Sequence, residues 1–180
     1  ESENRTIIPI TFMVVARGQS MLYTAAPFNW VSRPADVREF YDPDGTQDVV
    51  AVFADSYFET GETYHTNSAL NNPSIAELRT AGQDYPQWIK DRYLQLPEKF
   101  PDSITGFATQ VTYGLTTPYE KAEAITTVLR AQITYETSIN PPTDGRDLIE
   151  WFLFDSKKGY CNYYATAEVL MLRSLGIPAR

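Results

Sequence analysis

The sequence contains one cysteine and one histidine in 180 residues, and its acidic residues outnumber its basic ones. A single cysteine cannot form an internal disulfide, so the cysteine count does not identify the redox compartment. With 15 basic and 23 acidic residues, the net charge is −8. Nucleic acids and anionic membrane surfaces bind proteins through basic patches. The charge balance therefore argues against a nucleic-acid-binding protein and against docking on an anionic membrane.

Long hydrophobic runs are also absent. The longest apolar stretches are PITFMVVA and AEVLML, which are much shorter than the roughly 18 residues of a membrane-spanning helix. The N-terminus shows no signal-peptide pattern, and it begins ESENRT without a methionine. We therefore expect this sequence to be an excerpt or a processed part of a longer protein, whose membrane anchor, if it has one, lies outside the excerpt.

The residues that are present are sufficient for a folded core. Apolar residues make up 43% of the chain and aromatic residues 13%, which excludes a disordered tail. Strand-like patterns dominate residues 1–72 and helical patterns dominate residues 73–180, and a polar stretch that contains Pro73 separates the two regions. The predicted class is α+β, with a β-rich domain followed by a helical domain.

The first region contains several predicted strands. They are TIIPITFMVV, SMLYTAA and DVVAVFA, and FETGETYHT is predicted to form a hairpin around Gly61. A turn is predicted at residues 42–45, where the sequence reads DPDG. Asp42, Asp44 and Asp48 are acidic, but the loop lacks the remaining ligands and the closing glutamate of an EF-hand. These aspartates are therefore interpreted as turn residues, and no metal site is predicted.

The second region contains predicted helices whose N-termini carry capping boxes. The boxes are Ser74 with Glu77, Thr117 with Glu120, and Asp147 with Glu150. The clearest helix is TPYEKAEAITTVLRAQI, whose apolar stripe consists of Ile125, Val128, Leu129 and Ile133. Further helices are predicted in PQWIKDRYLQL and SITGFATQVTYG.

The last predicted helix extends from about Tyr160 to Leu175 and carries the only cysteine near its start. Gly176 and Pro178 are its stop signals. On a helical projection one face consists of Cys161, Tyr164, Ala165, Glu168 and Leu172, and a narrow polar strip consists of Asn162, Thr166 and Arg173. The remaining surface is apolar, so we expect a central helix that is buried nearly all round.

Cys161 in the first turn of this helix is a candidate nucleophile. The free N–H groups of a helix N-terminus stabilise anions such as a thiolate, and they can also donate to an oxyanion. Gly159 leaves room for an approaching substrate or for a tight turn. A free cysteine can equally fill space in a core, and position alone leaves both interpretations open. Glu168 is about 10 Å further along the helix, too far to act as a base, and is interpreted as a carboxylate paired with an arginine.

The closing string GYCNYYATAEVLMLRSLGIPAR strongly resembles the nucleophile helix of the transglutaminase-like superfamily. The matching residues are Gly159, Cys161, Tyr164, Ala165, Arg173, Gly176, Ile177, Pro178, Ala179 and Arg180. The segments YPQWIKDRYLQLP and TPYEKAEAITTVLR resemble the region that precedes the core in membrane-anchored bacterial members. The resemblance implies a papain-like core, of which residues 73–180 are the N-terminal helical part, and an extracytoplasmic location for the β-rich domain.

The resemblance also implies a cysteine–histidine–aspartate triad in which Cys161 is the nucleophile and Gly159, Tyr160 and Tyr164 lie at the substrate site. The family's histidine and aspartate follow this helix by a few dozen residues. His65, the only histidine here, precedes the cysteine and does not match, so it is interpreted as a surface residue. We therefore expect a cysteine enzyme that acts on a carboxamide or peptide carbonyl through a thioester, with these residues alone inactive.

Several alternatives remain open from the sequence. The enzyme can be an acyltransferase or a hydrolase, and its partner is a protein or peptide substrate; no cofactor is implied. The fragment lacks the sheet that covers the helix in the family, so self-association is expected. In a second class, the chain is a non-catalytic module that binds protein or glycan. Tyr57, Phe58 and Tyr64 are the candidates for its binding surface, although these residues fit ordinary strand packing better. In a third class, the chain is a purely structural extracytoplasmic domain in which Cys161 is buried and inert.

Overall fold

The structure is a computed structural model that describes residues 5–25, 27–41, 45 and 47–180, without the side chains of residues 47 and 48. It divides into two compact units, Glu1–Ser74 and Ile75–Arg180, close to the boundary that the sequence predicts. Strands form the first unit and helices dominate the second, which confirms the mixed α+β class. Within the described part of the chain, no helix has the length and apolarity that crossing a bilayer requires.

The first unit is built from five antiparallel strands. They are β1 (Arg5–Met13), β2 (Phe28–Val31), β3 (Ala35–Tyr41), β4 (Gln47–Ala54) and β5 (Thr63–Asn71). Strand β5 is central in a three-stranded sheet of order β1-β5-β2, and β3 pairs with β4 in a separate ladder. The core of this unit contains Phe58 and Tyr64, whose ring centroids are 5.2 Å apart and whose side chains are buried.

The strand predictions are confirmed for β1 and β4 and wrong in two places. The described part of SMLYTAA, residues 20–25, is not a strand; it forms an isolated bridge at Met21 and is otherwise irregular. Gly61 does lie in a turn, with φ +92°. However, β5 pairs with the distant strand β1, with Thr63 opposite Met13, rather than with the residues just before the turn. Of the turn predicted at residues 42–45, residues 42–44 lie outside the described residues, and Gly45 has φ +85°.

The second unit contains six α-helices and two short strands. They are α1 (Ile75–Thr80), α2 (Gln87–Tyr93), α3 (Asp102–Val111), α4 (Pro118–Gln132), β6 (Thr134–Tyr135), α5 (Leu148–Glu150), β7 (Lys158–Gly159) and α6 (Cys161–Ser174). The predicted capping box at α4 is confirmed, because Thr117 accepts from the N–H of Glu120 and the glutamate side chain accepts from the N–H of Thr117. Ile125 and Leu129 of the predicted stripe are buried.

Helix α5 differs from its prediction. Asp147 caps it by accepting from the N–H groups of Ile149 and Glu150, both at 2.9 Å. The helix then continues as a π-helical segment, Trp151–Ser156, which ends at Lys157 in the left-handed region with φ +49°. The side chain of Glu150 accepts a hydrogen bond from Ser103 of α3. The second half of the predicted capping box is therefore used for packing α5 against α3.

The core of the second unit surrounds α6. This helix packs against α3 and α4 through Tyr163, Ala167 and Met171, which recur every four residues and are buried. The fully buried ring of Phe152 packs against Tyr163, with centroids 5.4 Å apart. The N-terminus of α6, where the cysteine lies, is therefore attached to a well-packed core.

Candidate active site

Cys161 is the first residue of α6, and a short parallel strand pair holds it in place. The N–H of Thr134 donates to the carbonyl of Lys157, and the N–H of Glu136 donates to that of Gly159, both at 2.9 Å. Strand β7 therefore ends against β6 just before the helix begins, and the backbone turns through Tyr160 (φ −118°, ψ −177°). These contacts fix where the thiol emerges.

The thiol is accessible, and the helix terminus beside it has no side-chain cap. Cys161 is exposed and unpaired, and its Sγ lies 3.5 Å from Oδ1 of Asn162. The N–H of Tyr163 donates to the carbonyl of Tyr160 at 2.9 Å. Among the described residues, the N–H groups of Cys161 and Asn162 have no acceptor. The expectation of a buried thiol, which belonged to the third alternative, is therefore wrong, and two donors beside the sulfur remain free to bind an anion.

Gly159 is buried, and the close approach of its neighbours explains the residue. A Cβ at this position would lie 2.6 Å and 2.9 Å from two ring carbons of Phe152, and 3.1 Å from Cβ of Tyr163. The space that a side chain would occupy is thus filled by the core. The glycine lets the π-helical segment pack directly under the start of α6.

A groove of about 460 Å³ opens beside the thiol. Its lining residues are Thr126, Leu129, Arg130, Ile133, Tyr135, Cys161, Tyr164 and Glu168. The rings of Tyr135 and Tyr164 stack with centroids 6.4 Å apart, and the Tyr164 hydroxyl donates to the carbonyl of Ile133 at 2.7 Å. Burial raises the pKa of Tyr164 above its usual value. The groove therefore combines a nucleophile, an aromatic wall and an apolar floor.

The predicted substrate residues are distributed unevenly around this groove. Tyr164 lines it together with Cys161. Tyr160 instead packs edge-on against Tyr163, with centroids 5.1 Å apart, at the edge of the core. Tyr135 and Thr126 also line the groove, and no local pattern in the sequence singles them out. Thr126 reaches the groove through the packing of α4 on α6, and Tyr135 through the pairing of β6 with β7.

Glu168 differs from its predicted environment. Its half-buried carboxylate accepts from the Thr126 hydroxyl at 2.6 Å, so its partner is a threonine of α4 rather than an arginine. The prediction that α6 is buried nearly all round is also wrong within this chain. Asn162, Ala165 and Thr166 are exposed together with the cysteine, because α3 and α4 cover only the opposite side of the helix.

His65 lies in the other unit. It is exposed on β5, and its Nδ1 is 2.8 Å from Oγ1 of Thr11. Residues 75–180 contain no histidine. In the part of the chain that the structure describes, no group of three or more histidine, cysteine, aspartate or glutamate side chains could hold a metal ion.

Comparison with known proteins places this site in a family. Residues 105–180 match the model of the transglutaminase-like superfamily. Over these residues the chain is transglutaminase-like. The matched segment includes most of α3 and the whole of α4 and α6, so Cys161 and every residue that lines the groove lie within the transglutaminase-like part of the chain.

Two curated relatives share the sequence similarity. The chain is 35% identical over 106 residues to the uncharacterized protein YebA of Bacillus subtilis, a match that covers 58% of this chain and 14% of YebA. It is 33% identical over 92 residues to a protein-glutamine gamma-glutamyltransferase of Pseudomonas aeruginosa, covering 49% of this chain and 13% of the relative. The matches thus span about one-seventh of the length of these curated relatives.

A solved structure shares the fold. The periplasmic domain of TgpA from Pseudomonas aeruginosa superposes with a TM-score of 0.63 over 96% of this chain and 54% of that chain, at 20% sequence identity. The same domain bound to ethylmercury superposes with a TM-score of 0.61 at 21% identity. These similarities confirm the predicted transglutaminase-like α+β fold.

Proposed function

We propose that Cys161 is the nucleophile of an acyl transfer or hydrolysis at a carboxamide or peptide carbonyl. The observation that carries this proposal is the exposed thiol at the first position of α6, beside free backbone N–H groups and at the edge of a groove. The match of residues 105–180 to the transglutaminase-like superfamily supports it, and so does the similarity to a protein described as a protein-glutamine gamma-glutamyltransferase.

The proposed chemistry uses the thiolate and the helix terminus together. The sulfur adds to the carbonyl carbon, and the negative charge moves to the carbonyl oxygen, where the N–H groups of Cys161 and Asn162 can donate to it. The C–N bond then breaks, the amine or ammonia leaves with a proton, and a thioester remains on Cys161. An amine or water next attacks the thioester carbonyl, which releases the product and restores the thiol.

The proton transfers in this cycle need a general base, which is a histidine in the family. Residues 75–180 contain no histidine. Glu168, about 10 Å from the thiol along α6, is too distant for the role. We propose that a histidine outside this sequence supplies it in the whole protein, as the resemblance implies. Residues 75–180 accordingly form the thiol half of the site and do not complete a turnover by themselves.

Selective alkylation tests the role of Cys161. We expect iodoacetamide to modify the folded chain at Cys161 at least as fast as it modifies a cysteine in an unstructured peptide, because the thiol is exposed beside a helix N-terminus. Mass spectrometry of the product identifies the site, and Cys161→Ser provides the control. Modification that occurs only after denaturation would contradict the proposal.

Turnover measurements test whether the site needs a base from outside this sequence. The chain as given is expected to release no ammonia from a glutamine peptide supplied with an amine, whereas a longer protein that contains the downstream histidine is expected to do so in a Cys161-dependent manner. Ammonia release by the chain alone that is lost in Cys161→Ala would show that no further base is needed.

The same resemblance supports a location and partners. We propose that residues 1–72 form a β-rich extracytoplasmic domain ahead of the helical part of a transglutaminase-like domain, that the parent protein is anchored in the membrane, and that its substrate is a protein or peptide. The similarity to a periplasmic domain supports the location. Protease accessibility of the chain in cells with a permeabilised outer envelope tests it. Self-association of the chain also stays a prediction. Sedimentation velocity tests it, and species larger than a monomer are the expected result.

The structure weakens the alternative that the chain is a non-catalytic binding module. Of the three aromatic residues that the sequence offered as a recognition surface, Phe58 and Tyr64 are buried in the core of the first unit, and only Tyr57 is exposed. Two of the three aromatic side chains therefore pack in the core, as their strand pattern indicated, and are not accessible to a ligand.

A further inference from the structure

The groove beside Cys161 contains a carboxylate that the proposed acyl transfer does not use. Glu168 lies seven residues after Cys161 on α6, and both side chains line the same groove. Seven residues advance an α-helix by about 10 Å and return to nearly the same side. The carboxylate therefore lies two turns beyond the thiol, where a substrate that extends from the attacked carbonyl along α6 would meet it.

The position of this carboxylate is fixed by one hydrogen bond, which leaves part of it available. The Thr126 hydroxyl donates to Oε1 at 2.6 Å, so α4 holds the carboxylate at the wall of the groove. Among the described residues, no lysine or arginine forms an ion pair with it. Its second oxygen, Oε2, has no donor in the described part of the chain. A half-buried carboxylate without a cationic partner attracts a cation more strongly than an exposed one, because water screens it less.

The remaining lining fits the uncharged part of such a substrate. Leu129 and Ile133 are buried and apolar, and the stacked rings of Tyr135 and Tyr164 line the same groove as the cysteine. Arg130 also lines the groove. This residue is exposed, so solvent screens the charge of its guanidinium group. An aliphatic or aromatic stretch can thus lie between the thiol and the carboxylate.

We infer that Glu168 is a specificity-determining residue and that the substrate of Cys161 carries a positive charge about 10 Å from the carbonyl that the thiol attacks. The chemical class is an ammonium or guanidinium group at the end of an apolar spacer, as in a peptide with a nearby lysine or arginine. This inference rests on the proposed function, since it assigns the substrate class of the same groove.

Thiol-specific reagents of different charge and length test the inference on the chain itself, without turnover. Alkyl methanethiosulfonates react with a thiolate to form a disulfide and release methanesulfinate, so their rates report how each alkyl group fits beside Cys161. The reagents are the aminohexyl, hexyl and aminoethyl compounds, each normalised to its rate with a cysteine in an unstructured peptide. The variant is Glu168→Gln, which keeps an oxygen that can accept from Thr126. The matched control is Glu98→Gln, which changes the net charge equally at an exposed loop position outside the groove.

The expected result is that the aminohexyl reagent reacts about threefold to tenfold faster than the hexyl reagent, the range given by a partly screened ion pair. The aminoethyl reagent is expected to gain less, because its ammonium group cannot reach Glu168. Glu168→Gln should remove the preference and Glu98→Gln should retain it. If Cys161 reacts readily but without charge preference, or with a preference that survives in Glu168→Gln, the inference about Glu168 is overturned while the proposed nucleophile stands. If Cys161 does not react in the folded chain, the proposed function fails as well.

Discussion

Replacement of Gly159 by alanine is expected to destabilise the second unit by about 3 kcal/mol. The added Cβ would lie 2.6 Å from one ring carbon of Phe152 and 2.9 Å from another, whereas carbon atoms in contact are about 3.5–4.0 Å apart. The ring must therefore move by about 1 Å. It cannot do so freely, because Phe152 is fully buried and packs against Tyr163 and Tyr164. Overpacking of this kind costs about 1–3 kcal/mol, and the rigid surroundings place this case at the upper end.

Equilibrium unfolding in urea, followed by the helical circular-dichroism signal, measures this cost. For a slope of about 2 kcal/mol/M, a loss of about 3 kcal/mol lowers the midpoint by about 1.5 M. Gly106→Ala is the matched control, since Gly106 lies within α3 and a Cβ there would meet nothing within 4 Å. That substitution is expected to stabilise the chain by about 1 kcal/mol through helix propensity alone.

A double-mutant cycle identifies the cause. Phe152→Leu removes the ring carbons that the new methyl group would meet, so the added cost of Gly159→Ala is expected to fall below about 1 kcal/mol in that background. An unchanged cost in the Phe152→Leu background would refute the steric explanation, and so would a Gly159→Ala chain as stable as the parent.

Two further predictions concern hydrogen bonds of the second unit. Tyr164→Phe removes the bond to the carbonyl of Ile133 and is expected to cost about 1 kcal/mol near neutral pH. Because burial raises the pKa of Tyr164, its hydroxyl stabilises the fold below the unfolded pKa of about 10 and this stability is lost as pH rises further. The difference from the phenylalanine variant should therefore shrink in alkaline urea titrations; a constant difference would contradict this. Arg173→Lys is expected to lower the free energy of unfolding by about 2 kcal/mol in the same assay. The guanidinium group of Arg173 donates to the carbonyls of Ala179 and Gln95, and an ammonium group cannot form all of these hydrogen bonds. An unchanged midpoint in Arg173→Lys would contradict this expectation.

The predictions from sequence succeeded where the signal is local. Capping residues and a helical stripe identified α4 within a residue of its observed start, and Gly176, with φ +75°, follows the C-terminus of α6 as predicted. They failed where a strand pairs with a segment that is distant in the sequence. The strand after Gly61 pairs with β1 at the other end of the unit, a choice that depends on burial of both strands rather than on the turn. The π-helical continuation of α5 was also missed, because the sequence of residues 151–156 is compatible with an ordinary α-helix.

The sequence alone singled out Cys161 as the candidate nucleophile, because a cysteine after Gly-Tyr at the start of an apolar helix is a local pattern that resembles the nucleophile helix of the family. The tertiary structure alone decided what surrounds it. Thr126 and Tyr135 reach the groove from α4 and β6, and Glu168 pairs with threonine instead of arginine. Such contacts join residues more than 20 positions apart, and they depend on how helices pack rather than on any spacing along the chain.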